Sequence, residues 1–288
     1  MNLENKKYWV WFSLIKKLGS IRKQKLLSIY KEPIKIYNLK KTELKQLEWL
    51  SDEIIENIID IETKKQTEKH IEKMYELDID IITIKDKEYP KNLKEIYDYP
   101  ISLYIKGNKE ILNNKNIAII GCREYSEYGK ACTLYFSQNL AKENINIISG
   151  LARGIDSFSH IGAIKAKGKT IAVVGNGLDT IYPKENYNLE KEIIRSGGAV
   201  ISEYPIGTKP EKINFPARNR IISGISDGVI VIEAKKKSGT MLTVDFALEQ
   251  GRDIYAVPGN INNMNSTGTN ELIKQGAKLI TNYKEIDL

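Results

Sequence analysis

From Asn116 onward the chain alternates between two apolar patterns. Short continuous runs, NIAIIG (116–121), INIIS (145–149), TIAVVG (170–175), AVISEY (199–204), GVIVIEA (228–234), DIYAVPG (253–259) and KLIT (278–281), read as strands, most of them covered on both faces. Segments with helical spacing separate several of them, for example Gly129–Lys142, Ser157–Lys167 and Thr240–Gln250. This alternation predicts an α/β fold with a doubly wound, mostly parallel sheet. Ahead of it, residues 79–115 form a lead-in with two strands, IDIITI (79–84) and ISLYIKG (101–107), and breaks at Tyr89-Pro90 and Tyr99-Pro100. Residues 1–78 carry a helical period instead. Tyr8, Trp11, Phe12, Ile15 and Leu18 share one stripe, Gly19-Ser20 stops that helix and caps the next, and Ser51 opens another whose stripe is Ile54, Ile55, Ile58 and Ile59. The expected organisation is a small helical domain at 1–78 and a sheet domain at 79–288.

Composition excludes several classes. Hydrophobic residues make up 41% and charged residues 28% of 288, values typical of folded globular chains. No apolar run approaches the ~18 residues of a membrane span, and the N-terminus lacks a secretory signal, so a cytoplasmic protein with no membrane partner is expected. Two cysteines, Cys122 and Cys132, and two histidines exclude a disulfide scaffold and leave little for a zinc site; no metal and no cofactor are expected. The net charge of +7 is uneven: residues 1–50 hold 12 Lys/Arg against 4 Asp/Glu, residues 51–100 hold 8 against 14, and the remainder holds 24 against 19. This mild basic excess permits a nucleic-acid partner without requiring one.

In a parallel sheet, ligands bind where the strands end. After the first run comes Gly121-Cys122-Arg123, with an arginine where a dinucleotide fingerprint needs its second glycine. That disfavours a nicotinamide cofactor and favours an anion held by guanidinium and helix N-terminus together, a salt-bridged structural arginine being the other reading. Ser149-Gly150-Leu151-Ala152-Arg153-Gly154 reads as a backbone anion nest, with Asp156 capping the next helix and Arg153 facing the crevice. Asn176 lies in a third small-residue loop, and Lys169 stands just before that loop's strand. Arg218-Asn219-Arg220 and Ser238-Gly239 complete the set. Several such loops on one edge suit an extended polyanion. No nucleophilic constellation emerges; His160 falls inside a helix and reads as a core or capping residue, and Cys122 as a small buried one.

The loops GCREYSEYG, SGLARGID, GNGLDTIYP, FPARNRIISGIS and KSGTMLTVDFALEQGR, taken in order, closely resemble the DNA-processing protein A (DprA/Smf) family over roughly Tyr89 to Tyr283. The resemblance implies a Rossmann-like sheet that binds single-stranded DNA, loads RecA onto it in natural transformation or recombination, contends with single-strand binding protein, and is not an enzyme. It assigns the DNA pocket to Arg123, Lys169, Ser149 and Gly150, with Gly121, Arg153, Asn176, Arg218, Asn219, Arg220, Ser238 and Gly239 joining from the loop reading. It implies a sterile-alpha-motif-like fold for residues 1–78 and a homodimer through Gly268–Leu279, with Leu272, Ile273 and Leu279 at the interface; the C-terminal winged helix that some members add is not expected here, the last strand lying close to Leu288. A nucleoside-monophosphate phosphoribohydrolase is the enzymatic alternative, but its P-G-G-x-G-T-x-x-E signature has only KSGTMLTVD (237–245) as a counterpart. A nucleotide sensor on the same fold is the third reading.

Overall fold

The computed structural model describes residues 3–287. The first helices are α1 (Leu3–Leu14), α2 (Ser20–Tyr30), α3 (Pro33–Tyr37), α4 (Lys41–Leu44), α5 (Asp52–Ile59) and α6 (Ile61–Glu76). Local chemistry sets their ends. Ser51 accepts a hydrogen bond from the Ile54 N–H, and Asp60 from those of Glu62 and Thr63, so both helices start on a side-chain cap. Ser20 departs from expectation. Gly19 is the N-cap of α2, and Ser20 is its first helical residue with its hydroxyl free for other work.

The lead-in supplies β1 (Asp80–Thr83), α7 (Lys91–Lys94) and β2 (Ser102–Gly107). Then follow β3 (Asn116–Ile120), α8 (Glu127–Lys142), β4 (Asn146–Ser149), α9 (Ile155–Lys165), β5 (Thr170–Val174), α10 (Tyr187–Arg195), β6 (Ala199–Ser202), α11 (Asn214–Ile225), β7 (Gly228–Val231), α12 (Gly239–Glu249), β8 (Asp253–Ala256), α13 (Thr267–Lys274) and β9 (Lys278–Leu279). All strands join one sheet in the order β1-β2-β6-β5-β4-β3-β7-β8-β9. From β6 to β9 the neighbours are parallel; β1 and β2 attach antiparallel at one edge. The expected doubly wound, mostly parallel sheet is therefore present, and every strand run named from the sequence forms a strand.

The alternation of side chains across each strand separates the cores. Ile117 and Ile119 of β3 pack with Phe136 and Leu140 of α8 on one face. Ala118 and Ile120 face the other way, into a cluster with Ile221, Ile222 and Ile225 of α11 and Val244 of α12. The helical bundle is not a separate core. Trp9, Phe12, Leu26 and Ile55 belong to one cluster with Tyr104, Val174 and Val200 of the sheet, and the Ser13 and Tyr104 hydroxyls meet at 2.5 Å. No helix among the described residues is long and apolar enough to cross a membrane.

One proposed interface residue belongs to this interior. Leu272 is 4% exposed and packs in the cluster under α12, so it cannot face a second copy as expected; a glutamate there would enter the core. Ile273 packs partly buried against that cluster, while Leu279 on the terminal strand is 46% exposed.

Candidate functional site

The strand order reverses between β3 and β7, and the loops leaving the parallel strands gather at the carboxyl edge. A cleft of about 600 Å³ opens there. The β3 loop lends it Gly121 and Arg123, the approach to α11 and its first turns lend Lys212, Phe215, Arg218 and Asn219, and the β7 loop lends Lys235, Ser238 and Gly239. Arg123 and Lys212 are exposed, and neither has an ion-pair partner among the described residues. Arg123, Lys212, Arg218 and Lys235 line the cleft against two carboxylates, Glu124 and Asp156, so its lining is net positive. Tyr182 and Phe215 line it with ring centroids 5.6 Å apart, an aromatic surface of the kind on which bases stack.

Helix termini add to this. Ser238 begins α12 without its side chain capping the helix, and its hydroxyl is buried with no partner among the described residues. Ser238, Gly239 and Thr240 at this helix start line the cleft, and a helix N-terminus favours a phosphate.

Two anion positions expected from the sequence are filled by the protein itself. The N-terminus of α8, where a dinucleotide pyrophosphate would lie, holds the Glu233 carboxylate. It accepts from the Ser126 N–H at 2.9 Å and the Ser126 hydroxyl at 2.5 Å. Glu233 is 1% exposed, and a Cβ on Gly129 would come within 2.3 Å of it, so only glycine fits that turn. The Ser149–Gly154 nest is likewise closed: the Asp156 carboxylate accepts from the N–H of Gly150 at 3.1 Å and of Ala152 at 3.4 Å. Burial pushes the Asp156 carboxyl above its ordinary value despite the Arg218 charge nearby. Burial, then Glu233, pushes the Cys122 thiol up to about 12, so Cys122 stays a thiol.

Several expected DNA ligands are corrected by placement. Lys169 precedes β5 and so lies at the amino edge, donating to the Ser196 carbonyl at 2.6 Å; a five-residue strand spans roughly 17 Å, which separates it from the cleft. Ser149 is fully buried and donates to the Ile119 carbonyl. Gly150 is covered by Asp156 and Arg218. Arg153 pairs with Glu185 instead of turning into the cleft. Asn176 is buried, its amide donating to the Gly177 and Thr180 carbonyls. Arg220 is held by Glu203 and Asp98, outside the cleft. Arg218 forms the cleft floor, but its Nη1 donates to the carbonyls of Gly150 and Val173 and its Nε to Asn219. Gly121, Arg123, Asn219, Ser238 and Gly239 do line the cleft. Lys212 and the Tyr182–Phe215 pair were missed; an aromatic beside each Pro183 and Pro216 turn was the available signal.

His160 is fully buried, its Nδ1 2.6 Å from the Thr170 hydroxyl. Burial, then the Arg218 charge, lowers it from 6.5 to about 3. The unfolded chain therefore takes up this proton near 6.5 and the folded one only near 3, so acid favours unfolding through this residue. Wild-type stability relative to a His160→Gln variant should fall as pH is lowered across that interval, measured by urea unfolding. A pH-independent difference would contradict the assignment.

The site is thus a basic, aromatic-lined crevice at the switch point of a Rossmann-like sheet, a geometry suited to an extended anion, and the fold places the protein in the class of doubly wound α/β proteins. Residues 80–287 match the family model described as DNA recombination-mediator protein A, and the chain is a member of that family. It is 44% identical over 206 residues to Protein Smf of Escherichia coli, covering 72% of this chain and 55% of that relative, so it spans about half the relative's length. It is 46% identical over 204 residues to the DNA processing protein DprA of Streptococcus pneumoniae, covering 71% and 72% of the two. The crystal structure of DprA from that species superimposes with a TM-score of 0.83 at 36% identity, covering 97% of this chain and 96% of the other. DprA of Helicobacter pylori, solved to describe its single-stranded DNA binding mode, gives 0.65 at 34% identity over 71% of this chain and 93% of that one.

Proposed function

We infer that the protein binds single-stranded DNA in the carboxyl-edge cleft and takes part in recombination, in the cytoplasm, as a binding protein rather than an enzyme. The observation that carries this is the pairing of partnerless cations, Arg123 and Lys212, with the Tyr182–Phe215 aromatic surface in one crevice. Cations track the phosphate backbone and aromatic faces accept any base, which gives strand binding with modest sequence preference. Membership of the family and the single-stranded DNA described for the Helicobacter relative support the same ligand. The fuller reading has the protein load RecA onto that strand, displace or accommodate single-strand binding protein, and serve natural transformation. It also has the protein act as a homodimer through the β9 edge. Leu279 of β9 is 46% exposed, and β9 ends the sheet with one side unpaired.

Fluorescence anisotropy with single-stranded and duplex oligonucleotides over a salt series tests the ligand. Arg123→Ala and Lys212→Ala should each weaken binding and lower the log–log salt slope by about one unit at most. Lys169→Ala should leave binding unchanged. Equal affinity for duplex, or normal binding by both cleft variants, would overturn the reading.

A further inference from the structure

The helical bundle is tied to α11 through a half-buried polar chain. The Ser20 hydroxyl, not used as a cap, donates to Glu203 Oε1 at 2.7 Å. Arg220 Nη2 donates to the other oxygen of Glu203 at 2.6 Å and lies 3.3 Å from the Ser20 hydroxyl. Arg220 is 5% exposed and its Nε is 3.0 Å from Asp98. It stands on α11 two residues after Arg218, on a different side of the helix. One arginine thus ties α11 to the ends of β4 and β5, and the other ties it to the bundle.

A second contact holds the segment that leads into α11. His70 Nε2 of α6 is 3.3 Å from the Ile206 carbonyl. Lys73 of the same helix is 3.8 Å from Asp179 Oδ2, and Asp179 Oδ1 accepts from the Gly207 N–H at 2.8 Å. Residues 203–213 therefore form a strap, fastened by the bundle at Glu203 and Ile206 and, through Asp179, at Gly207. Its far end delivers Lys212 to the cleft, with Phe215 in the helix turn beyond.

We propose that the helical bundle positions the DNA cleft: Ser20, acting through Glu203 and Arg220, is a positioning residue that keeps the 203–213 strap and the start of α11 in the geometry that binds a single strand. This rests on the cleft being the DNA site. Neither Ser20 nor Glu203 lines the cleft, so their effect runs through the fraction of molecules whose strap is correctly seated. Affinity scales with that fraction, while the number of phosphates contacted stays the same.

The test uses the full chain and a short single-stranded oligonucleotide over a salt series, with Ser20→Ala, Ser20→Thr and Glu203→Gln. Loss of a half-buried hydrogen bond to the Glu203 carboxylate, taken at the low end for a charged acceptor, corresponds to roughly tenfold in the seating equilibrium. Ser20→Ala is therefore expected to bind more weakly, by up to about tenfold, with an unchanged salt slope, Ser20→Thr to recover wild-type affinity, and amide exchange over 207–213 to quicken in Ser20→Ala. If Glu203→Gln fails to fold, Ser20→Ala decides alone. Wild-type affinity in a folded Ser20→Ala protein would overturn the proposal, and so would a reduced salt slope, which would make Ser20 a direct phosphate contact. The Arg123→Ala and Lys212→Ala variants separate the two claims. If they bind weakly and Ser20→Ala binds normally, only the positioning role fails; if they bind normally, the cleft itself is the wrong site.

Discussion

Arg218→Ala is expected to destabilise the fold by roughly 3–5 kcal/mol, the cost of removing one partner from a buried charge pair. The guanidinium is 5% exposed, and burial pulls it down to about 10, so the fold holds it charged at neutral pH. Its Nη1 serves two carbonyls, Gly150 and Val173, which end adjacent strands. Its charge also opposes the buried Asp156 carboxylate, which in turn secures the Gly150 and Ala152 N–H groups. Truncation leaves those carbonyls unpaired and Asp156 without compensation. Arg218→Lys should recover only part of the loss, because one ammonium cannot reproduce the planar fork. Chemical unfolding of the two variants checks this. An Arg218→Ala protein as stable as wild type, with DNA binding alone abolished, would return Arg218 to the role of a phosphate ligand.

The sheet was legible because covered parallel strands produce continuous apolar runs, and those runs are bounded by glycine loops. The site was legible in outline only. Which loops share an edge follows from strand direction, and by that rule Gly121, Arg123, Asn219, Ser238 and Gly239 were read onto the edge where the cleft opens. The same rule, applied to a residue before a strand, puts Lys169 on the opposite edge; the family resemblance carried it into the site against the local evidence. The closed anion nests could not be read. Glu233 lies 107 residues from Ser126 in sequence, and nothing local to either loop reveals that a carboxylate from elsewhere already satisfies its N–H groups. Arg218 and Arg220 read alike in sequence, since both are basic residues at a helix start. Their different roles arise from a two-residue step around a helix, which sends one to the sheet and the other to the bundle. Lys212 escaped notice because a lysine in a polar loop has no pattern; only the strap's path over the cleft gives it one.

Leu272→Glu and Leu279→Glu are expected to fail in different ways, and the contrast separates core from interface. Leu272 is 4% exposed, enclosed by the cluster that includes Val244, Ala247 and Ile254. A carboxylate there loses its hydration without gaining a partner, so destabilisation of about 4 kcal/mol or more is expected, enough to unfold a protein of ordinary stability. Leu279 is 46% exposed on the short terminal strand, whose outer edge is unpaired. A glutamate there meets water in the single chain, so the fold should persist with a change within about 0.5 kcal/mol. In the proposed homodimer the same residue is met twice across the two-fold axis, and each copy brings a charge. Leu279→Glu should therefore sediment as a folded monomer. The two clefts of the dimer are then no longer joined, so affinity for long strands should fall while affinity for a strand that fills one cleft stays near wild type. Sedimentation velocity combined with anisotropy on short and long oligonucleotides reads all of this. A Leu279→Glu protein that remains dimeric moves the interface away from β9, and a folded, monomeric Leu272→Glu protein would show that residue to be exposed at the contact after all.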